Sequence, residues 1–162
     1  MFCYQCEQTN KGTGCTTMGV CGKDATTAAM QDLLVHVAKG ISMYAHRARK
    51  LGITDREVNV FTVEALFTTV TNVNFDPKRI RGLIQRGVEI RDKAKKLYEN
   101  ACRKAGQTPE PLTGPATWTP AKDLPSLIQQ AEAVGIARET QVVGADIAGL
   151  KQLLTYGLKG MA

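Results

Sequence analysis

The sequence lacks an apolar run long enough to cross a membrane, and it is poor in aromatic residues. A membrane-spanning helix needs about 20 consecutive apolar residues, and surfaces that bind nucleic acids commonly place aromatic side chains among basic ones. Only 6% of the 162 residues are aromatic, although the formal net charge is +6. We therefore expect a soluble protein with no membrane or nucleic-acid partner, whose mildly basic surface would suit an acidic partner.

We also expect no secretory leader, because Cys3 lies too close to Met1 for one to precede it. Disulfide-rich scaffolds are typical of small secreted chains that cannot build a core. This chain has 43% hydrophobic residues and is long enough to bury a core without cross-links. We expect a cytoplasmic protein.

What the sequence does have is a cluster of cysteines at its start. Four of the five cysteines follow the spacing Cys-x2-Cys-x8-Cys-x5-Cys: Cys3, Cys6, Cys15 and Cys21. Glycine readily adopts the left-handed backbone that tight turns need, and four glycines stand among the cysteines: Gly12, Gly14, Gly19 and Gly22. A loop of this kind is suited to wrapping around a bound group.

Three kinds of site compete for these thiols: a structural zinc site, two disulfides, or an iron–sulfur cluster. Zinc ribbons usually present two Cys-x2-Cys pairs, and here the second pair is opened to x5. Disulfides are the weakest alternative in a chain that can build a core. A cluster with four thiolate ligands accepts an irregular, glycine-rich loop. The spacing favours the cluster and leaves zinc open, with a zinc-stabilised helical binding module as the alternative function.

Outside this loop, the chain offers few side chains that bind soft metals. They are His36, His46 and Cys102, too few and too scattered for a second cluster. Both histidines fall on a predicted amphipathic helix, where surface or packing roles are more common than metal binding. Cys102 falls among apolar positions, and we expect it to be a buried, inert thiol.

Five runs of residues carry a resemblance to a known family: MFCYQCEQT at 1–9, GCT at 14–16, GVCGK at 19–23, QDLL at 31–34 and KG at 39–40. They closely resemble the N-terminus of the hybrid cluster protein family, also called prismane proteins or hydroxylamine reductases. Every cysteine spacing matches, and the likeness continues more loosely to the C-terminus. Members of that family are several times longer, so this chain looks like their N-terminal domain alone.

The resemblance implies that the clustered cysteines ligate an electron-transfer cluster: Cys3, Cys6, Cys15 and Cys21. Their spacing is similar to that of the subclass with a 4Fe-4S cubane rather than the one with a 2Fe-2S centre. Tyr4, Gln5 and Lys23 would then lie around the ligands.

In that family, an external redox donor passes electrons to this cluster, which relays them to a hybrid iron–sulfur–oxygen cluster held by later domains. That second centre reduces hydroxylamine to ammonia, and nitric oxide chemistry has also been proposed. Because the ligands of the hybrid cluster are absent here, we expect this chain to be inactive as a reductase on its own. Its expected partners are the electron donor and the remaining domains.

Apolar periodicity predicts three consecutive helices: 26–51, 58–73 and 77–105. Gly52 would end the first helix. A capping box at 54–57 makes Thr54 the cap of the second helix, and Asp76 followed by Pro77 is a typical start for the third.

Residues 107–122 contain four of the six prolines and predict a crossover, in which Trp118 packs against the bundle. A short helix over 125–134 follows and is closed by Gly135, and Asp146 would cap a last helix that reaches the C-terminus. The predicted fold is therefore all-α. It has four parts: a cluster-binding loop at 1–25, a three-helix bundle at 26–106, the Pro-rich crossover at 107–122, and the helices of an incomplete second bundle at 123–162.

The last predicted helix repeats the first. Leu153-Leu154 and Lys159-Gly160 lie 120 residues after Leu33-Leu34 and Lys39-Gly40. Its apolar stripe has no predicted partner: Ile147, Leu150, Leu153, Leu154, Leu158 and Met161. Because exposed apolar stripes tend to associate, we expect the chain to form a homo-oligomer through 145–162.

Overall fold

The computed structural model describes residues 3, 5–6, 12–71 and 73–162. In these ranges the regular secondary structure consists of helices and an isolated β-bridge. The α-helices are α1 (Ala25–Lys50), α2 (Arg56–Thr68), α3 (Pro77–Lys104), α4 (Leu124–Val134), α5 (Ile136–Val143) and α6 (Ala145–Met161). The predicted all-α fold is confirmed. None of these described helices is both long and apolar enough to cross a membrane.

Helices α1, α2 and α3 pack on one another and form the predicted three-helix bundle. Leu33, Phe61 and Ile84, one from each helix, are completely buried in its core. Helix α3 approaches α1 closely at Gly87, where a side-chain Cβ would lie 2.6 Å from Cγ1 of Val37. Because apolar burial is the main favourable contribution to folding, this core stabilises the bundle that follows the cysteine loop.

Aspartate side chains begin four of the six described α-helices: Asp24, Asp55, Asp76 and Asp123. Each carboxylate accepts a hydrogen bond from a backbone N–H in the first turn, which the helix itself leaves unpaired. At α1, the amide of Thr27 donates to Oδ1 of Asp24 at 2.6 Å. This cap fixes where the chain leaves the cysteine loop and enters the bundle.

Two predicted caps are wrong. Asp55, not Thr54, caps α2, because its Oδ1 accepts from the amide of Val58 at 3.0 Å. The same helix ends at Thr68, short of the predicted end at Val73. Asp146 lies inside the first turn of α6, whose N-cap is Gly144 without a side-chain hydrogen bond.

The crossover at 107–122 lies along the bundle. A 3-10 turn at Gly114–Ala116 packs on α1, where Gly40 leaves no room for a Cβ against the carbonyl of Pro115. Trp118 packs against the core and meets the ring of His36 edge-on, at 5.6 Å between ring centroids. The prediction that Trp118 packs against the bundle is confirmed.

The last three helices lie against different parts of the bundle. Helix α4 packs on α1 and adds Leu127 and Ala131 to the same core. Helix α5 contacts α4 and α6, and α6 also contacts α2. The sequence predicted no helix between Gly135 and the last helix at Asp146, whereas α5 lies there, and Gly144, whose φ is 84°, separates it from α6. The predicted division into domains stays a prediction.

Candidate metal centre

A backbone bridge joins the first and third cysteines of the loop. The amide of Cys15 donates to the carbonyl oxygen of Cys3 at 2.6 Å, in an isolated antiparallel bridge. Cys15 is buried, whereas Cys3, Cys6 and Cys21 are partly buried. Cysteines twelve positions apart in sequence are therefore brought side by side.

Cys21 lies in a tight turn that leads to α1. The amide of Gly19 donates to the carbonyl oxygen of Lys23 at 2.7 Å, and the amide of Gly22 donates to that of Gly19 at 2.8 Å. A Cβ on Gly19 would lie 2.9 Å from the carbonyl oxygen of Lys23, closer than such atoms pack. Only glycine fits this position without opening the turn.

The chemistry of the donor set fits an iron–sulfur cluster. All five cysteines are free thiols, so the structure holds no disulfide. Within the described residues, no three His, Cys, Asp or Glu side chains converge closely enough to hold a metal ion. The structure thus pairs two of the predicted ligands and leaves the assembly of all four a prediction. Tyr4, predicted to lie near the ligands, falls outside the described residues.

The charges around Cys3 also fit an anionic group. Lys23 and Lys159 are only 2% and 4% exposed. Burial raises the pKa of the Cys3 thiol, while the charge of Lys23 acts to lower it, and Cys3 acts to raise the pKa of Lys159. Burying ammonium groups is costly unless negative charge lies nearby. A cluster bound by four thiolates would supply that charge.

A cavity of about 200 Å³ opens between the cysteine loop, α1, α5 and α6. Its polar walls come from distant parts of the chain: Cys3, Gln5, Lys23, Gln31, Asp32, His36, Lys39, Gln152, Thr155, Tyr156 and Lys159. Gln5 and Lys23 were predicted to lie near the ligands. No role was predicted for Asp32 or Lys159, although Asp32 belongs to a run that carries the family resemblance and Lys159 to the internal repeat.

Asp32 and Lys159 titrate abnormally in this cavity. Burial raises the pKa of Asp32 to about 6, while Lys159, Lys23 and Lys39 act in the opposite direction. Burial lowers the pKa of Lys159 to about 8, and Asp32 opposes that shift. The ammonium of Lys159 and the carboxylate of Asp32 each stabilise the charge of the other.

Gln5 connects this cavity to the cysteines, since it stands between Cys3 and Cys6 in the chain. In the amide orientation that satisfies both of its polar atoms, Gln5 Nε2 donates to the carbonyl oxygen of Thr69 at 3.2 Å. Its Oε1 accepts from Nζ of Lys159 at 2.8 Å. The side chain of Gln5 is therefore held between the end of α2 and the end of α6.

The remaining candidate ligands lie apart from one another. His36 lines the cavity, and burial lowers its pKa to about 4, with Lys39 acting in the same direction. His46 is exposed on α1. Cys102 is 1% exposed in the core, as predicted. These three residues do not form a second metal centre.

Comparison with known proteins agrees with the resemblance seen in the sequence. A family model described as "Prismane/CO dehydrogenase family" matches residues 1–161. A protein named hydroxylamine reductase from Rhodospirillum rubrum is 49% identical over 162 residues, and one of the same name from Acidithiobacillus ferrooxidans is 49% identical over 166. Another from Burkholderia ambifaria is 50% identical over 165. The chain spans about 30% of the length of these relatives, and it belongs to the prismane/CO dehydrogenase family.

Proposed function

We propose that this chain is the electron-relay domain of a hydroxylamine reductase-type hybrid cluster protein and that its cysteine loop binds a 4Fe-4S cluster. The ligands would be Cys3, Cys6, Cys15 and Cys21. The observation that carries the proposal is the backbone bridge that places Cys3 beside Cys15, both free thiols, with the buried ammonium groups of Lys23 and Lys159 acting on Cys3. Burial raises the pKa of the Cys3 thiol, but Lys23 acts to lower it and so favours the thiolate, which is the form that binds metal.

Each part of the loop has its own role in this proposal. The four thiolates would hold the irons, and the group they hold would take up and release electrons. The bridge between Cys3 and Cys15 and the turn at 19–23 fix the loop backbone. Lys23 and Lys159 would offset the negative charge of the cluster and its thiolates. The three-helix bundle follows the loop and anchors its C-terminal end.

The activity of the whole protein is part of the same proposal. The relatives are named hydroxylamine reductase, and reduction of hydroxylamine to ammonia and water consumes two electrons and two protons. We infer that this chain relays electrons from a redox donor and that the remaining domains carry the reducing centre. Nitric oxide reduction is a further candidate activity. The chain alone would be inactive, because His36, His46 and Cys102 are too few to ligate a second cluster.

The proposal is tested by measuring iron, acid-labile sulfide and zinc on chain purified without oxygen, together with its visible spectrum. About four iron and four sulfide per chain, with absorption that dithionite bleaches, are expected. Cys6→Ser should lose most of the iron, whereas Cys102→Ala, which changes a buried thiol in the core, should keep it. A colourless chain with one zinc would instead identify a structural module.

A further inference from the structure

Helix α6 is packed against the protein in an unusual way. Its buried residues are Ala148 and Lys159, whereas Leu150, Leu153 and Leu154 are about two-thirds exposed. A lysine is among the residues that proteins bury least. The C-terminal end of α6 is therefore anchored by a polar side chain rather than by its leucines.

The partners of Lys159 explain its burial. Its Nζ lies 3.5 Å from the carbonyl oxygen of Thr69, which is completely buried at the end of α2. The same Nζ donates to Oε1 of Gln5 at 2.8 Å, and Gln5 Nε2 donates to the Thr69 oxygen. Three segments more than sixty residues apart in sequence thus meet in one hydrogen-bonded triangle.

The triangle acts on the cysteines through Gln5. Gln5 lies two positions after Cys3 and one before Cys6, so fixing its side chain restricts the backbone that carries both thiols. The backbone of Cys3 is also tethered by its bridge to Cys15. A hydrogen bond from a charged donor is roughly twice as strong as a neutral one, which makes Lys159 an effective anchor.

Lys159 also brings charge. Its ammonium and that of Lys23 face the same cavity as Cys3, with Asp32 as a nearby carboxylate and Lys39 at the edge. A fixed positive charge beside an iron–sulfur cluster stabilises the state with the extra electron, because net charge around the cluster contributes to its reduction potential.

We propose that Lys159 is a positioning residue for the cysteine loop: it holds Gln5, and through it the Cys3–Cys6 segment, and its charge raises the reduction potential of the cluster. The charge effect rests on the proposed cluster, whereas the positioning effect does not. It follows that α6, at the far end of the chain, contributes directly to the site at the start of the chain.

Hydrogen exchange tests the positioning without any cluster. In the metal-free chain, Lys159→Met should increase the exchange rate of the Cys15 amide several-fold, because the bridge to Cys3 opens more often. Lys159→Arg keeps a charged donor and should restore protection. Lys151→Met removes an exposed lysine from the same helix and should leave that amide unchanged. Protection of the α3 amides should be equal in all four chains, which separates a local effect from unfolding.

Redox titration of the iron-loaded chain tests the charge. Lys159→Met should shift the midpoint potential to more negative values, and Lys159→Arg and Lys151→Met should stay near wild type. Gln5→Met removes the hydrogen bonds to Lys159 and Thr69 but keeps the charge of Lys159. It should reduce the protection of the Cys15 amide from exchange and shift the midpoint potential less than Lys159→Met does.

The outcomes separate the two proposals. If the wild-type chain binds no iron, the proposed function fails and the exchange rates alone decide the positioning. If the wild type binds iron but Lys159→Met matches it in Cys15 exchange or in midpoint potential, the role of Lys159 is overturned while the proposed function stands.

Discussion

The carbonyl oxygen of Lys23 and the amide nitrogen of Gly19 lie 2.7 Å apart and close the turn that contains Cys21. The same carbonyl is the atom that a Cβ on Gly19 would meet at 2.9 Å. The side chain of Lys23 leads from this turn into the buried cavity. A single turn therefore sets the position of one predicted ligand and of one buried cation near Cys3.

Gly19→Ala should open this turn and weaken metal binding. We expect its iron content to fall well below that of wild type, because Cys21 would be displaced from the other thiols. Unfolding by urea should change little, since residues 16–18 and 20 around the turn are exposed. Gly82→Ala is the control: Gly82 is exposed on α3 with nothing within 4 Å of a Cβ, and its iron content should equal that of wild type.

The close packing of α3 on α1 and α2 predicts opposite effects for two glycines of one helix. A Cβ on Gly87 would lie 2.6 Å from Val37 Cγ1 and 3.2 Å from the Phe61 ring, so Gly87→Ala should destabilise the fold by about 1–3 kcal/mol. Gly82→Ala should stabilise it by about 0.5–1 kcal/mol, because alanine favours a helix more than glycine does. Urea unfolding followed by circular dichroism measures both. Equal effects at the two sites would contradict the packing.

The cap of α2 predicts that Asp55 contributes more to the stability of the fold than its neighbour Thr54. Asp55 accepts from the Val58 amide and pairs with Lys93, whereas Thr54 is exposed and caps nothing. Asp55→Ala should lower the free energy of unfolding by about 1–2 kcal/mol, and Thr54→Ala by much less. Thermal unfolding of both variants distinguishes the cap in the structure from the one that the capping-box pattern predicts; a larger loss for Thr54→Ala would favour the pattern.

The long helices could be predicted from the sequence because apolar periodicity and helix caps are local signals. The four clustered cysteines could be recognised as one set because their spacing is local too. Periodicity located α1 and α3, and Asp76 with Pro77 marked the start of α3. Helix α5 was missed because it has only eight residues and is separated from α6 by the single residue Gly144. The role of Lys159 could not be predicted, because its partners Gln5 and Thr69 meet it only through the packing of α6 on α2.

The convergence of the cysteines also lies beyond local patterns. Spacing identified four thiols as one set, and the structure confirms only that Cys3 and Cys15 are neighbours. Bringing Cys6 and Cys21 to the same point depends on the conformation of the loop around a bound group, which periodicity and capping rules do not describe. The family resemblance supplied the expectation of a cluster, and metal analysis must test it.

His36 predicts a pH-dependent stability. Its pKa is lowered from 6.5 to about 4, chiefly by burial, so the folded state binds fewer protons than the unfolded state between these values. The stability that neutral His36 contributes is therefore present above pH 6.5 and is lost as the pH falls toward 4. The pKa of Asp32 is raised to about 6, so Asp32 has the opposite effect: its contribution to the free energy of unfolding falls as the pH rises from 3.8 to about 6.

Comparing the free energies of unfolding of wild type and a His36 variant isolates the contribution of His36, because Asp32 is present in both chains. The free energy of unfolding of wild type minus that of His36→Gln should fall as the pH is lowered from 7 to 4. Denaturant unfolding at several pH values measures this difference, and a flat curve for His36→Gln would contradict the burial of its neutral ring.

The exposed face of α6 predicts that the isolated chain self-associates. Leu150 and Leu154 lie one turn apart on this helix and are 67% and 65% exposed, although the sequence repeats the pattern that α1 buries. Because large apolar patches seldom remain exposed in monomers, we expect sedimentation velocity at micromolar concentrations to give a mass above that of the monomer. Neither leucine lines the cavity, so this association would leave the candidate metal centre intact.

Replacing both leucines by glutamate should return the chain to a monomer, because four carboxylates per dimer could not be buried in the contact. Val142→Glu is the matched control, since Val142 is 64% exposed on α5 and lies outside the stripe; it should associate like wild type. A monomeric wild-type chain would show that the leucines of α6 do not pair with a second copy. If the double variant instead keeps the mass of the wild type, association occurs through another surface, and the apolar face of α6 remains available for the remaining domains proposed as its partners.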